Sequence, residues 1–410
     1  MGFVTDSFLD TGGELFEGGA ERHLLHLATV AKGLGAEVTI YQHGLEEWER
    51  TYRGIRVVAL PPRRGVIGST LAGRALHDGC THLHFQYLNQ VPWRSRGVTV
   101  TATGHAVYWD IPYVDRYRSW YPGGRLAAIL LPAWRFRERH RCLRAVGRCE
   151  RVMVTDSSML RLVQSDRPDL RLRVEVVPNF SDLLVASDGG LTGPEGDPAL
   201  QPLVEARRQG AIVVLVPRNL SFVRGGAWLP EIVEHTVSAT RGGRDCHFFL
   251  TGVPVSVYGA GERYRRLFDR QLSSVPTEAR ERVHLLGGVP RASMRAAYEA
   301  SDVVLVPTFA HEGTSLAAIE AMGAGCAVVA TNVGGLNDLV ADHVSGVLAP
   351  PEPGALAAAV AELAQDSELR ARLGAEGRRR VSAMFGQELW QFRAKSFGRR
   401  SGWAATAESA

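Results

Sequence analysis

Residues 303–331 read VVLVPTFAHEGTSLAAIEAMGAGCAVVAT. Two short apolar runs, at 303–306 and 327–330, predict buried strands, and the pattern at 315–324 between them predicts a helix. Strand, helix and strand in this order form the repeating unit of a parallel sheet. Because the turn before the helix exposes backbone N–H groups at the helix start, it also offers a site for a phosphate or another anion.

The same alternation of strands and helices runs through the whole chain. Further strands are predicted at 2–5, 38–41, 55–60, 81–87, 98–103, 152–155, 174–177, 211–216, 247–251 and 283–286. Further helices are predicted at 20–34, 226–238, 260–273, 291–300, 355–365 and 387–398. We therefore predict an α/β protein with two Rossmann-like, doubly wound domains that face each other across a cleft. A ligand would bind in that cleft, near the carboxyl ends of the strands.

A stretch rich in Gly, Pro and Asp, 181–210, separates the two series and is predicted to be a linker. The first domain then spans 1–180 and the second 211–383. The last residues, 384–410, contain one more amphipathic pattern, which predicts a helix that crosses back to the first domain.

Composition excludes several kinds of chemistry. The 410 residues carry a formal net charge of +4, and they include 45 arginines but only two lysines, Lys32 and Lys395. Neither lysine lies in a P-loop, and neither is well placed to hold pyridoxal phosphate. The arginine excess fits GC-rich bacterial coding better than nucleic-acid binding, because net charge and not arginine identity governs attraction to phosphate backbones.

Cysteine usage and the N-terminus predict a cytoplasmic protein. The five cysteines form no CxxC pair, which argues against a zinc site or a disulfide framework. The N-terminal sequence has no basic and apolar signal, and no apolar run is long enough to span a bilayer.

Two carboxylates bracket the helix of the opening segment. Taken as helix, the eight-residue interval between Glu312 and Glu320 rises about 12 Å, so the two carboxylates could contact opposite ends of an elongated ligand. The spacing alone favours a simpler interpretation, a capped helix with a surface glutamate.

Several motifs, in order, resemble family 4 glycosyltransferases, which are retaining enzymes of the GT-B fold. The segment from Glu312 to Leu348 resembles the nucleotide-sugar-binding core of that family. The other matching motifs are Glu17-Gly-Gly-Ala-Glu-Arg22, VTVTATGHAVYW at 98–109, VEVVPNFSD at 174–182 and VPRNLSFVRGG at 216–226. Their order and number make the match specific, and it covers nearly the whole chain.

The resemblance implies a role for each matching residue. Gly18 and Gly19 would let the backbone approach the donor, and His105 would lie beside the anomeric carbon. Arg218 and Arg224 would neutralise the leaving diphosphate, so that no metal or other cofactor is required. Glu312 would bind donor sugar hydroxyls and Glu320 the ribose hydroxyls. The backbone amides that follow Glu312 would also bind the diphosphate. They belong to Gly313, Thr314, Ser315 and Leu316.

Two positions depart from the family pattern. Arg224 stands where the family usually has lysine, and a forked guanidinium contacts a phosphate differently from a point charge. Glu312-Gly-Thr-Ser replaces the commoner Glu-Gly-Phe-Gly, which changes the side chains beside the donor sugar.

The histidines of the chain can also be interpreted as structural residues with no role in catalysis. Without the family match, His105 would be interpreted as a structural histidine at a strand end. His82 and His84 alternate along one strand and are predicted to be structural, and none of these residues is predicted to bind a metal. For His311, a turn residue and a phosphate-facing residue are equally compatible with the sequence.

The stretch 125–151 carries eight arginines and two acidic residues, a local net charge of +6. Two interpretations stay open: a helix docked on the first domain with a solvated arginine face, or an interfacial helix that contacts anionic lipid.

The sequence therefore predicts a retaining, metal-independent glycosyltransferase that uses a nucleotide-diphosphate sugar and a small-molecule or glycoconjugate acceptor. A role in bacterial antibiotic biosynthesis is one expectation for the acceptor. The alternatives are a nucleotide-sugar epimerase, an inverting transferase on the same fold, and an inactive sugar-nucleotide-binding partner protein.

Overall fold

A computed structural model describes residues 1–16, 18–62, 69–92, 97–121, 123–184, 196–219, 221–252, 261–310 and 312–404. Glu17, His311, the middle of the predicted linker at 185–195, and 405–410 at the end of the predicted C-terminal segment lie outside these ranges. The chain divides into two compact units. Domain 1 contains 1–109, 134–179 and 388–410, and domain 2 contains 110–133 and 180–387.

Each domain is built on one sheet. The strands of domain 1 are β1 (Gly2–Val4), β2 (Thr39–His43), β3 (Trp48–Tyr52), β4 (Ile55–Leu60), β5 (His82–Phe85), β6 (Thr99–Gly104), β7 (Arg151–Val154) and β8 (Val174–Val176). The strands of domain 2 are β9 (Ile212–Val216), β10 (Cys246–Leu250), β11 (Val283–Leu285), β12 (Val303–Val306), β13 (Ala327–Thr331) and β14 (Val347–Ala349).

Helices connect most of the strands. In chain order they are α1 (Gly19–Gly33), α2 (Ser69–His77), α3 (Ala127–Arg148), α4 (Ser157–Asp166), α5 (Gln201–Arg208), α6 (Leu229–Ala239), α7 (Gly261–Ser274), α8 (Thr277–Arg280), α9 (Arg291–Glu299), α10 (Leu316–Ala324), α11 (Leu336–Leu339), α12 (Pro353–Gln365), α13 (Ser367–Met384) and α14 (Gln387–Arg400). Among the described residues, no helix is both long and apolar enough to cross a bilayer.

The sheet of domain 2 has the strand order β11-β10-β9-β12-β13-β14, and all of its pairs are parallel. Alternate residues of each strand are buried against different layers. Val214 and Leu305 belong to one apolar cluster, whereas Leu215 and Val304 belong to the other. Covering helices on both faces explain why these strands are continuously apolar.

The sheet of domain 1 has the order β3-β4-β2-β1-β5-β6-β7-β8. Its pairs are parallel except that β3 runs antiparallel to β4 at the edge. The apolar runs did not predict β3, because its sequence WERTY is polar and its central residues are exposed. The predicted fold class is confirmed: both domains are Rossmann-like α/β units.

The domain boundaries differ from the prediction at two places. Residues 110–133 belong to domain 2 and not to the N-terminal domain, because Trp120 stacks on Tyr264 with ring centroids 5.5 Å apart and donates its indole N–H to Gln271 at 3.0 Å. The predicted linker, 181–210, contains helix α5, whose Leu203 is fully buried in the core of domain 2.

His84 lies in the core of domain 1. Its two ring nitrogens are each 2.9 Å from a hydroxyl oxygen, that of Thr101 for Nδ1 and that of Thr103 for Nε2. Trp403, after the last helix, packs edge-on against the same ring at 5.4 Å. Burial, with a smaller effect of His105, lowers the pKa of His84 to about 3, so the ring is neutral in the folded protein.

This neutral histidine predicts an acid-dependent loss of stability. In the unfolded chain His84 takes up a proton below its ordinary pKa of 6.5, whereas in the folded chain it does so only near pH 3. The unfolded state therefore binds more protons in this range, and stability falls as the pH falls, by up to about 1.4 kcal/mol per pH unit for one such group. We expect His84→Gln to show a shallower loss in urea unfolding than the wild type.

The exposed His77 supplies the matched control. His77→Gln should keep the wild-type pH dependence, since 85% of the His77 side chain is exposed. Equal slopes for His84→Gln and the wild type would contradict the assignment.

Candidate functional site

The candidate site of domain 2 lies where the strand order reverses, between the neighbouring strands β9 and β12. Arg218 follows β9 by two residues, and Thr308 follows β12 by two. In an open parallel sheet, the loops after two such strands diverge to opposite faces and leave a crevice for a ligand. The crevice at this switch point brings together the residues that the sequence singled out.

Three charged residues meet there. Arg218 donates from Nη2 to Oε2 of Glu312 at 2.5 Å, and Arg224 donates from Nη1 to both oxygens of Glu312 at 2.7 and 2.9 Å. The side chains of Arg218 and Glu312 are 8% and 9% exposed, whereas that of Arg224 is 44% exposed. The cluster is a largely buried ion pair with a second arginine at its solvent side.

Neighbouring charges and burial set the ionisation of this cluster. Burial opposes the charge on Glu312, but the two arginines outweigh it and lower the pKa of Glu312 to about 2. Burial, together with the charge of Arg224, lowers the pKa of Arg218 to about 10. Arg218 and Glu312 are therefore both charged at neutral pH. With the guanidinium of Arg224, the cluster carries one net positive charge.

Two hydroxyls also accept hydrogen bonds from Arg218. Nη1 donates to Oγ of Ser315 at 3.2 Å, and Nη2 donates to Oγ1 of Thr308 at 3.3 Å. Thr308 in turn donates to Glu312 at 3.0 Å. Ser315 is the N-cap residue of α10, so Arg218 is fixed to the helix terminus that would bind an anion.

The residues after Glu312 form the entry to α10. Gly313 and Leu316 are partly buried, and Thr314 and Ser315 are 4% and 2% exposed. Glu312 lies before the helix, which begins at Leu316, so the spacing of Glu312 and Glu320 is not an eight-residue helical rise. That part of the prediction was wrong, because the turn occupies half of the interval.

Glu320 is bound by the protein on both of its oxygens. Ser181 donates to Oε1 at 2.6 Å, Tyr298 donates to Oε2 at 3.1 Å, and Arg291 lies 3.4 Å from Oε1. Arg291 also pairs with Asp182. The structure thus shows the Glu320 carboxylate held where α10, α9 and the residues after β8 meet. Its role in binding the ribose remains a prediction.

The candidate residues of domain 1 gather at the ends of β1, β5 and β6. Gln86 follows β5, and its Nε2 donates to the carbonyl of Ala20 at 2.8 Å and to Nε2 of His105 at 2.8 Å. His105 follows β6 directly, and burial lowers its pKa to about 4. A neutral His105 that accepts at Nε2 carries its proton on Nδ1.

Gly18 and Gly19 form the start of α1. Gly18 is the N-cap residue, and its N–H donates to the carbonyl of Phe16 at 2.8 Å. A Cβ on Gly18 would lie 1.9 Å from the Glu21 carboxylate, which therefore folds back over the start of the helix. The contact of Gly18 and Gly19 with the donor remains a prediction.

Sequence reasoning missed the residues that position the predicted ones: Gln86, Ser181, Arg291, Tyr298 and Thr308. Two of them had a local signal, since Ser181 lies in the motif at 174–182 and Thr308 follows a predicted strand by two residues. The backbone of Glu312 is held as well, because the amide of Gly335 donates to its carbonyl at 2.7 Å. Within the described ranges, no three His, Cys, Asp or Glu side chains come together to hold a metal ion.

Residues 213–366 match the family "Glycosyl transferases group 1". The chain is 26% identical over 392 residues to a D-inositol 3-phosphate glycosyltransferase of Corynebacterium glutamicum, covering 87% of this chain and 86% of that protein. It is 27% identical over 417 residues to the D-inositol 3-phosphate glycosyltransferase of Xylanimonas cellulosilytica, covering 93% and 92%. The chain is a glycosyltransferase.

Solved structures place this glycosyltransferase in the GT-B fold. Sucrose-phosphate synthase from Thermosynechococcus elongatus superimposes with a TM-score of 0.71 at 19% identity, covering 98% of this chain and 99% of that chain. Anabaena HepE in complex with UDP-glucose superimposes with a TM-score of 0.68 at 16% identity, covering 97% and 98%. At these identities the likeness concerns the fold.

Gly225 is a position in the site of this enzyme that tolerates no side chain. Its φ is +87°, and a Cβ would lie 2.0 Å from the carbonyl oxygen of Pro307. We expect Gly225→Ala to lower stability by several kcal/mol, through the left-handed conformation and a clash with backbone that cannot give way. Urea unfolding measures the loss.

Gly242 is the matched control for this substitution. Its φ is +84°, and a Cβ there would meet nothing within 4 Å. Gly242→Ala should therefore cost only the conformational part, about 1–2 kcal/mol. If Gly225→Ala and Gly242→Ala lost equal amounts of stability, the close approach of Gly225 to Pro307 would not explain the effect at Gly225.

Proposed function

We propose that this enzyme is a retaining glycosyltransferase that transfers a sugar from a nucleotide-diphosphate sugar to a small-molecule or glycoconjugate acceptor, without a metal ion. The observation that carries the proposal is the convergence of Arg218 and Arg224 at the N-terminus of α10, beside the carboxyl ends of β9 and β12. This is the place in a doubly wound sheet where phosphates bind.

The charges of the cluster suit a leaving diphosphate. When the bond from the anomeric carbon to the donor phosphate breaks, negative charge develops on the phosphate oxygen. Arg218 is already fixed by Ser315 and Thr308, so it needs little reorganisation to stabilise that charge. Among the described residues, Arg224 donates to Glu312 through Nη1 alone, and its exposure leaves its other N–H groups accessible to a phosphate.

The reaction we propose forms one bond and breaks one bond at the anomeric carbon. The acceptor hydroxyl oxygen bonds to that carbon while the carbon–oxygen bond to the diphosphate breaks. The hydroxyl proton moves to the leaving phosphate oxygen. Because the acceptor enters on the face that the diphosphate leaves, the configuration of the sugar is retained.

The surroundings of Glu312 support this front-face reaction over a covalent one. Both of its oxygens accept from arginines, and its low pKa makes it a weak nucleophile. We propose instead that Glu312 accepts hydrogen bonds from donor sugar hydroxyls. In domain 1, neutral His105 would donate a hydrogen bond from Nδ1 to the transferred sugar or to the acceptor.

The relatives suggest the first substrates to test. The two relatives described above are named for D-inositol 3-phosphate, and the HepE structures hold UDP or UDP-glucose. UDP-, GDP-, ADP- and dTDP-sugars should therefore be screened, with D-inositol 3-phosphate among the acceptors. The nucleoside diphosphate product should raise the melting temperature, because it binds only the folded state.

Product stereochemistry tests the proposal directly. With the donor found by the screen, we expect turnover that persists in EDTA and NMR of the product that shows the donor's anomeric configuration. An inverted product would indicate an inverting transferase, and an isomerised donor would indicate an epimerase. A nucleotide that binds with neither transfer nor hydrolysis would indicate an inactive binding protein.

Lysine substitutions separate the roles of the two arginines. Arg218→Lys keeps the charge but loses the fork that bonds Ser315, Thr308 and Glu312 together, so we expect kcat/KM to fall by about 100-fold or more. Arg224→Lys keeps a charge at the solvent side, and its kcat/KM should stay within about tenfold of wild type.

Arg241 supplies a control for surface charge, since it is 67% exposed and pairs with Glu278. Arg241→Lys should leave kcat/KM unchanged. Wild-type turnover in Arg218→Lys would remove this arginine from the proposed mechanism.

A further inference from the structure

We propose that helix α3 binds this glycosyltransferase to the surface of an anionic lipid bilayer. The proposal concerns where the enzyme works and does not depend on the reaction it catalyses. It rests on an apolar stripe that the structure leaves exposed and on the positive charge around that stripe.

The stripe lies on one face of α3 and the turn that precedes it. Leu126, Ile129, Leu130 and Phe136 are 62%, 74%, 61% and 65% exposed. Their spacing of three, four and seven residues places them on one side of a helix, together with the exposed Ala133. A helix face that only meets water seldom carries four large apolar side chains so close together.

The opposite side of α3 already has its partners. Cys142 and Val146 are fully buried in the core of domain 1, and Glu138 is 4% exposed and accepts from the hydroxyl of Tyr108 at 2.7 Å. The helix is therefore anchored by one side. The apolar stripe on the other side is not needed for that packing.

Arginines extend the same face towards the end of the helix. Arg125 is exposed at the beginning, and Arg137 is 70% exposed one turn after Ala133. Arg144 follows Arg137 by seven residues and is exposed as well. An apolar stripe that enters the acyl boundary, next to arginines that reach the lipid phosphates, is the pattern of a helix that lies in a membrane interface.

Charge complementarity favours lipid over a second copy of this chain. A symmetric pairing of two α3 helices would bring two stretches of net charge +6 against each other. Anionic headgroups would instead attract each arginine near the surface. The combination of apolar insertion and positive charge supplies the two contributions that stable membrane binding requires.

Co-sedimentation with lipid vesicles tests the proposal on the full chain. We expect the wild type to bind vesicles of phosphatidylcholine and phosphatidylglycerol in equal parts, and to bind pure phosphatidylcholine at least about tenfold more weakly. High salt should weaken the binding to anionic vesicles, because it screens the arginines.

Two pairs of variants assign the binding to α3. Ile129→Ser/Leu130→Ser should lower vesicle affinity by about tenfold or more, whereas Leu45→Ser/Leu172→Ser, at side chains that are 89% and 81% exposed elsewhere, should not. Arg125→Glu/Arg137→Glu should abolish the preference for anionic vesicles. Arg241→Glu/Arg266→Glu, at two arginines that are each 67% exposed, should preserve it.

Three results would overturn the proposal: no sedimentation with either vesicle, equal effects of the α3 variants and their controls, or a dimer in analytical ultracentrifugation that Ile129→Ser/Leu130→Ser converts to monomer. Thermal melting confirms that each variant is folded. Because donor hydrolysis is assayed without lipid, failure here leaves the transferase assignment separately testable.

Discussion

The site of domain 2 depends on a buried ion pair, Arg218 with Glu312. Removing two charges from water costs several kcal/mol for each ion, so such a pair is stable only when other groups satisfy its remaining donors and acceptors. Here Thr308, Ser315 and Arg224 supply such bonds, whereas Nε of Arg218 is buried without a partner among the described residues. The result is a positively charged cluster of fixed geometry in a poorly solvated crevice. There, a small net charge acts strongly on an incoming anion.

The backbone around this pair is packed as tightly as the side chains. A Cβ at Gly252 would lie 2.0 Å from the carbonyl oxygen of Arg218, and the amide of Phe309 donates to the carbonyl of Val223 at 2.9 Å. Phe222 and Phe309 pack together at 4.4 Å, and Tyr121 covers Phe222 at 4.5 Å. The loop that carries both arginines is thus held by β10, by β12 and by the segment 110–133.

Sequence patterns predicted the parts of this enzyme that depend on local chemistry. Strand β12 and helix α10 followed from continuous apolar residues and a turn, and the family resemblance brought Arg218, Arg224 and Glu312 to one site before the fold was known. The partners of Glu320 were not predicted. Ser181 lies in the motif at 174–182, but no local pattern indicates that Ser181 and Arg291 reach Glu320 from distant parts of the chain. The placement of 110–133 was not predicted either, because its aromatic residues suit the core of either domain.

Domain 1 is completed by residues that are synthesised after domain 2. Trp390 packs on His23 at 5.9 Å, and Trp403 packs on Phe3 at 5.8 Å. A ribosome that has finished the eight strands of domain 1 still holds the residues that close its core. Until they emerge, the apolar surface beneath them is exposed, and the contacts that cover it join residues far apart in the sequence, with the whole of domain 2 between them. Contacts between residues so far apart in the sequence slow folding. Until they form, the exposed apolar surface of the nascent N-terminal domain is the kind of surface that chaperones bind.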